Sequence, residues 1–175
     1  MPTRQAAPVR ARNPYLVLAM LMAVYIFSFV DRLLLSVLAE PVKADLALND
    51  AQMGLLGGLA FALLYSTMGI PLALVADRVG WSRVIGISLA AWSAFTAICG
   101  LAGNFWQMFL ARLGVGIGEA GGSAPSYALI TETFPPEKRA RATGIYMMSI
   151  PIGSAAGAFL GAWIASRVDW RLAFI

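Results

Sequence analysis

The chain has 175 residues, of which 59% are hydrophobic and 13% charged, and its mean hydropathy is +0.74. Soluble domains carry roughly a quarter charged residues, so this composition specifies an integral membrane protein. Histidine is absent and Cys99 is the single cysteine, which excludes a zinc site, a Ser-His-Asp or Cys-His constellation and an internal disulfide. An enzyme is therefore not expected, nor a metal or an organic cofactor.

At roughly 20 apolar residues per span, the predicted architecture is all-α, with five transmembrane helices and the start of a sixth. Residues 1–13 form a basic N-terminal tail containing Arg4, Arg10 and Arg12. The first helix is predicted over 14–38, apolar except for Asp31 and Arg32; it is too long, and too charged near its end, for a cleaved secretory signal. The mixed-charge segment 40–50 (EPVKADLALND) is expected to form a short interfacial turn. A second helix follows over 51–76, a third over 84–101 and a fourth over 105–130, the last two separated at Gly103 and Asn104. The fifth covers 142–166, and a sixth begins near 172.

Alternate loops hold unequal numbers of Lys and Arg. Arg4, Arg10, Arg12, Arg78, Arg83, Lys138, Arg139 and Arg141 share one side, against Lys43, Arg167 and Arg171 on the other. The positive-inside rule then places the N-terminus in the cytoplasm, and the membrane is the inner membrane if the protein is bacterial. The formal charge of +4 follows from that clustering, which anionic lipid headgroups attract. The basic residues are scattered through loops without interleaved aromatics, so nucleic acid is not an expected partner.

Four ionisable residues fall inside predicted spans: Asp31 and Arg32 in the first helix, Arg112 and Glu119 in the fourth. Charges at that depth are costly unless paired or wet, which makes each a functional candidate. Arg112 and Glu119 are seven residues apart, hence on nearly one face and about 10 Å apart along the axis. Asp31 and Arg32 point about 100° apart, so only one of them, Asp31, is expected to aim at a shared centre. Glu119 lies mid-span, where desolvation favours the neutral acid and suits it to binding and releasing a proton.

Glycines at intervals of four, Gly114, Gly118 and Gly122, predict a smooth face for close packing on the fourth helix. The fifth repeats the pattern with Gly153, Gly157 and Gly161 after Pro151, and the second has Gly54 and Gly58. Gly116, Gly118 and Gly121 also satisfy G-x-G-x-x-G, but no strand precedes them, so no dinucleotide site is read there. Between the second and third helices, Asp77, Arg78, Gly80 and Arg83 form a tight charged turn expected to latch neighbouring helix ends.

Ala76-Asp77-Arg78-Val79-Gly80 with Arg83 resembles the loop signature of the major facilitator superfamily. Asp31-Arg32, Glu40-Pro-Val-Lys-Ala-Asp-Leu46, Ala111-Arg-Leu-Gly-Val-Gly-Ile-Gly-Glu-Ala120 and Ser149-Ile-Pro-Ile-Gly153 are similar to the Spinster-type transporters within it. The resemblance implies the N-terminal part of that fold and a secondary transporter working by alternating access on a small organic or lipid-like anionic solute. It further implies Asp31 and Glu119 as proton sites, Arg112 as a charge partner near the substrate path, and a missing C-terminal half or second polypeptide as partner; from the residues themselves, a cavity bearing Arg112 and Arg32 suits an anionic headgroup. Ala73 stands where the loop signature usually has glycine, and Trp81 and Ser82 where it is commonly basic. A competing reading is a small polytopic partner subunit or scaffold with no transport activity of its own.

Overall fold

The computed structural model describes residues 13–167 and 169–175; Arg4, Arg10 and Arg12 lie outside them. Every element among the described residues is helical. Helix α1 spans Pro14–Val37, opened by Asn13, whose side chain accepts from the Tyr15 amide, and by Pro14 in the first turn, where no N–H is needed. Leu38 separates it from α2, Ala39–Asp45. The turn expected over 40–50 thus begins as a helix, because Leu38 and Val42 are fully buried and anchor it to the bundle.

Asn49 and Gln52 form a reciprocal capping box that starts α3, Asp50–Gly54. Lys43 pairs with Asp50 across this junction, and that hydrogen bond holds the Lys43 ammonium above its ordinary range. A π-helical stretch, Leu55–Leu59, leads into α4, Ala60–Val79. Gly80, with φ of 102°, ends α4 and begins α5, Trp81–Gly100; only glycine adopts that backbone freely.

Helix α6 spans Phe105–Thr133, with the Asn104 side chain accepting from the Gln107 amide. Helices α7, Pro136–Met147, and α8, Ser149–Arg167, together replace the predicted 142–166. The chain is helical six residues earlier because Pro136 occupies the first turn and Glu137 meets the positive end of the helix dipole. The break at Met148 lies where Pro151 offers no N–H to the Met147 carbonyl. A 3-10 turn, Trp170–Phe174, stands at the predicted start of a sixth helix.

Helix α6 is packed between α4 and α5 and also touches α1, while α8 lies along α1. Glycines set both seams. A Cβ at Gly153 would meet the Ile26 carbonyl at 2.6 Å, one at Gly157 would meet Val30 Cα at 3.0 Å, and one at Gly161 would meet Val37 at 3.0 Å. On α6, Gly114 abuts Phe95 and Gly118 abuts the Trp92 backbone at 2.7 Å, but the row continues through Gly121 against Ser88. Gly122 has nothing within 4 Å of its Cβ position, and neither Gly54 nor Gly58 has a close neighbour. At 3.6 residues per turn a straight contact line drifts from a four-residue spacing to a three-residue one.

Gly118→Ala is accordingly expected to cost about 1–3 kcal/mol through overpacking, and Gly122→Ala to be nearly neutral. Thermal unfolding of the two variants in one detergent checks the difference.

Among the described residues, four segments are long and apolar enough to cross a membrane: Pro14–Val37, Asp50–Val79, Trp81–Gly100 and Pro136–Arg167. Helix α6, read from the sequence as the fourth span, is not one of these despite its 29 residues. Arg112, Glu119 and a run of glycines depress its hydropathy, and burial among its neighbours compensates. Exposed apolar residues such as Ile70, Ile87 and Phe159 stand on the other long helices. The chain is a multi-pass integral membrane protein.

Candidate functional site

Helices α1 and α6 bring all four span charges together. Arg32 reaches Glu119 at 2.6 Å through Nη2 and donates a 2.7 Å hydrogen bond from Nε to Oε2. Ser28 Oγ donates to the same oxygen at 2.7 Å. One residue earlier on α1, Asp31 meets Arg112 at 3.6 Å, and its Oδ2 accepts from Trp92 Nε1 and Thr96 Oγ1 on α5, both at 3.3 Å. Two acids and two bases thus form crossed pairs, and the cluster is neutral when all four are charged.

The expectation that only Asp31 would point inward is corrected here. A 100° separation still lets adjacent residues reach different partners when those partners lie two turns apart on the facing helix. Asp31 takes Arg112 and Arg32 takes Glu119. Arg32 therefore does not run out to the headgroups, although its side chain keeps 25% exposure against 2% for Arg112. Of the two cations, Arg32 is the more accessible.

Aromatic rings, which the sequence reading did not single out for this site, frame the cluster. Phe61 of α4 lies 4.7 Å from the Arg32 guanidinium and 5.6 Å from that of Arg112, so one ring serves both cations. Phe29 and Tyr65 complete the surround of Arg32 at 5.1 and 4.6 Å. No periodic pattern marks Phe61 in the sequence, because its role depends on how α4 is rotated against α6.

Several polar atoms in the cluster are buried without a hydrogen-bond partner: Asp31 Oδ1, Glu119 Oε1, and Nε and Nη1 of Arg112. Next to Glu119 a cavity of about 20 Å³ is bordered by Tyr65, Ser123, Ser126 and Tyr146. A wider groove of about 570 Å³ runs past Asp31 between α1, α5 and α8.

The charged turn is placed differently. Asp77, Arg78 and Arg83 are exposed, and none of them forms an ion pair among the described residues. The contact joining this turn to α6 is made instead by Trp81, whose Nε1 donates to Glu132 at 2.9 Å. At the other end of the bundle, Arg171 pairs with Asp45 at 2.6 Å and donates to the Gly100 and Ala102 carbonyls. This ties the 3-10 turn to α2 and to the end of α5.

Comparison with known proteins gives consistent matches. The family model described as Major Facilitator Superfamily matches residues 21–175. An "MFS-type efflux pump" of Mycolicibacterium smegmatis is 36% identical over 94% of this chain and 38% of its own length. A "D-galactonate transporter" of Escherichia coli O6:H1 is 31% identical over all of this chain and 40% of its own. Among solved structures, a bacterial homologue of the human lysosomal transporter Spinster, inward-facing and occupied, superposes with a TM-score of 0.81 at 37% identity, covering 91% of this chain and 40% of that one. The chain thus spans about two-fifths of the length of these relatives.

Proposed function

Since this chain belongs to the major facilitator superfamily and is Spinster-like in sequence and fold, we propose that it forms the N-terminal half of a proton-coupled secondary transporter for an anionic organic or lipid-like solute. The observation that carries this reading is the pair of crossed ion pairs buried between α1 and α6. A static anchor needs one pair. Two pairs sharing the Phe61 ring allow a partner to be exchanged when a carboxyl group takes a proton. Protonation of Glu119 frees Arg32, the more accessible cation, to receive a solute anion; departure of the anion returns Arg32 to Glu119 and expels the proton. Solute and proton then move together through one alternating-access cycle at a midplane site.

In this reading a second set of helices supplies the opposite wall, as the coverage of the relatives suggests. Asp77, Arg78 and Arg83, exposed and free of ion pairs among the described residues, are available to latch it on the cytoplasmic side. The solute class draws support from the relative named for D-galactonate and from the Spinster homologue.

The test is uptake into proteoliposomes by this chain completed with the remaining helices, using D-galactonate and a lysophospholipid as separate probes. Uptake of one of them that rises with an inward proton gradient is expected. Uptake indifferent to the gradient overturns the coupling, and failure of both probes overturns the solute class. Arg32→Gln should raise the half-saturating concentration of the transported probe about tenfold or more, the loss of one charge-assisted contact.

A further inference from the structure

Glu119 is held on one oxygen only. Ser28 and Arg32 both bond Oε2, whereas Oε1 is buried without a partner, and Glu119 borders the small cavity. About 20 Å³ is room for one water molecule, and a buried water needs two to four polar neighbours. Those neighbours are present as hydroxyl groups. Tyr65 bonds Ser123 at 3.1 Å, and Ser126 and Tyr146 border the same space.

These hydroxyls run in one direction. Ser123 and Ser126 follow Glu119 by four and seven residues, so they lie on its face of α6, one and two turns closer to the end of the helix at Thr133. Tyr146 comes next, stacked on Tyr25 at 4.8 Å and met edge-on by Tyr127 at 5.3 Å. Beyond it on α7 stand the exposed Lys138, Arg139 and Arg141. In the opposite direction from Glu119 stand the Asp31–Arg112 pair and buried Val115, Met108, Leu35 and Leu56, with the wider groove beyond Asp31.

We propose that a water held against Glu119 Oε1 and the hydroxyls of Ser123, Tyr65, Ser126 and Tyr146 form a proton relay between Glu119 and the basic end of the bundle. The relay rests on the reading above that Glu119 exchanges a proton. In the outward step Oε1–H gives its proton to the water. Each hydroxyl then accepts one proton and releases another, Ser126 by turning its hydrogen from the Gly122 carbonyl it bonds at 2.7 Å, and the last hydroxyl releases its proton to bulk water, so no group on the path changes its net charge. The carboxylate left behind is stabilised by Arg32 and Ser28. The titratable or charged groups facing Glu119 are Asp31, Arg32 and Tyr25 from α1, Tyr65 from α4 and Tyr146 from α7; the α5 wall contributes the uncharged Ser88 and Trp92. The serines and tyrosines are positioning residues, since none of them keeps the proton.

The experiment is hydrogen–deuterium exchange at the Glu119 carboxyl, followed by infrared spectroscopy on the chain in lipid nanodiscs, with the band assigned by its loss in Glu119→Gln. The double variant Ser123→Ala/Ser126→Ala is expected to slow exchange about tenfold or more, with an unchanged end point and unchanged unfolding temperature. Ser123→Thr/Ser126→Thr, which keeps both hydroxyls, should exchange at the original rate. Unslowed exchange in the folded alanine variant overturns the relay and leaves the proton site standing. Equal slowing in the threonine variant also overturns it, because packing rather than the hydroxyls is then responsible. A Glu119 band that never titrates in the unaltered chain overturns the relay and the proton site together.

Discussion

Glu119→Gln in the completed transporter is expected to abolish accumulation driven by a pH gradient while leaving the fold intact. A monoanion moving with one proton is carried without net charge, so a gradient of about one pH unit sustains about a tenfold concentration ratio, equivalent to about 1.4 kcal/mol. The variant should bring that ratio to about one. Glutamine keeps the shape and still accepts from Ser28 and Arg32, which is why the loss should fall on coupling rather than on folding. Radiolabelled uptake in proteoliposomes at two external pH values measures it, and a ratio that stays near tenfold removes Glu119 from the proton pathway.

Arg112→Met is expected to produce the largest loss of stability in this half of the bundle. Arg112 is 2% exposed and faces Asp31, itself nearly as buried. Removing one partner strands the other charge, a penalty of about 3–5 kcal/mol for buried pairs. Replacing both, as Asp31→Leu/Arg112→Met, should recover most of that loss, since an apolar pair of similar volume needs no solvation. Denaturant titration followed by tryptophan fluorescence suits the test, because Trp92 donates to Asp31 directly. A single variant as stable as the parent assigns the pair no structural weight.

Much of this arrangement was legible in the sequence, for reasons that differ by level. Asp31, Arg32, Arg112 and Glu119 stood out because charges within apolar spans need an explanation, and the seven-residue spacing already put two of them on one face. Gly80 was legible as a turn because the chain reverses between two apolar runs there. Pairing was not legible. Which carboxylate meets which arginine depends on the rotation of α1 against α6, and that rotation is set by packing on other helices. Phe61 and the serines of α6 were hidden for the same reason, since an aromatic or a serine in a span is ordinary until its neighbours are known. The missing turn at 135–141 has a local cause, for charged residues next to two prolines read as loop although Pro136 suits the first turn of a helix.

The modest hydropathy of α6 bears on how the protein is made. A helix that carries Arg112, Glu119 and a seam of glycines gains little from leaving the translocation channel for lipid by itself. Only three residues of turn and Asn104 separate the end of α5 at Gly100 from Phe105, too few to let the two helices enter the bilayer far apart. The arrangement that would offset this cost is entry of α6 as the second arm of a hairpin with α5, on whose Phe95, Trp92 and Ser88 its glycines are seated in the fold. The partners of its charges stand on α1, which precedes it in the chain.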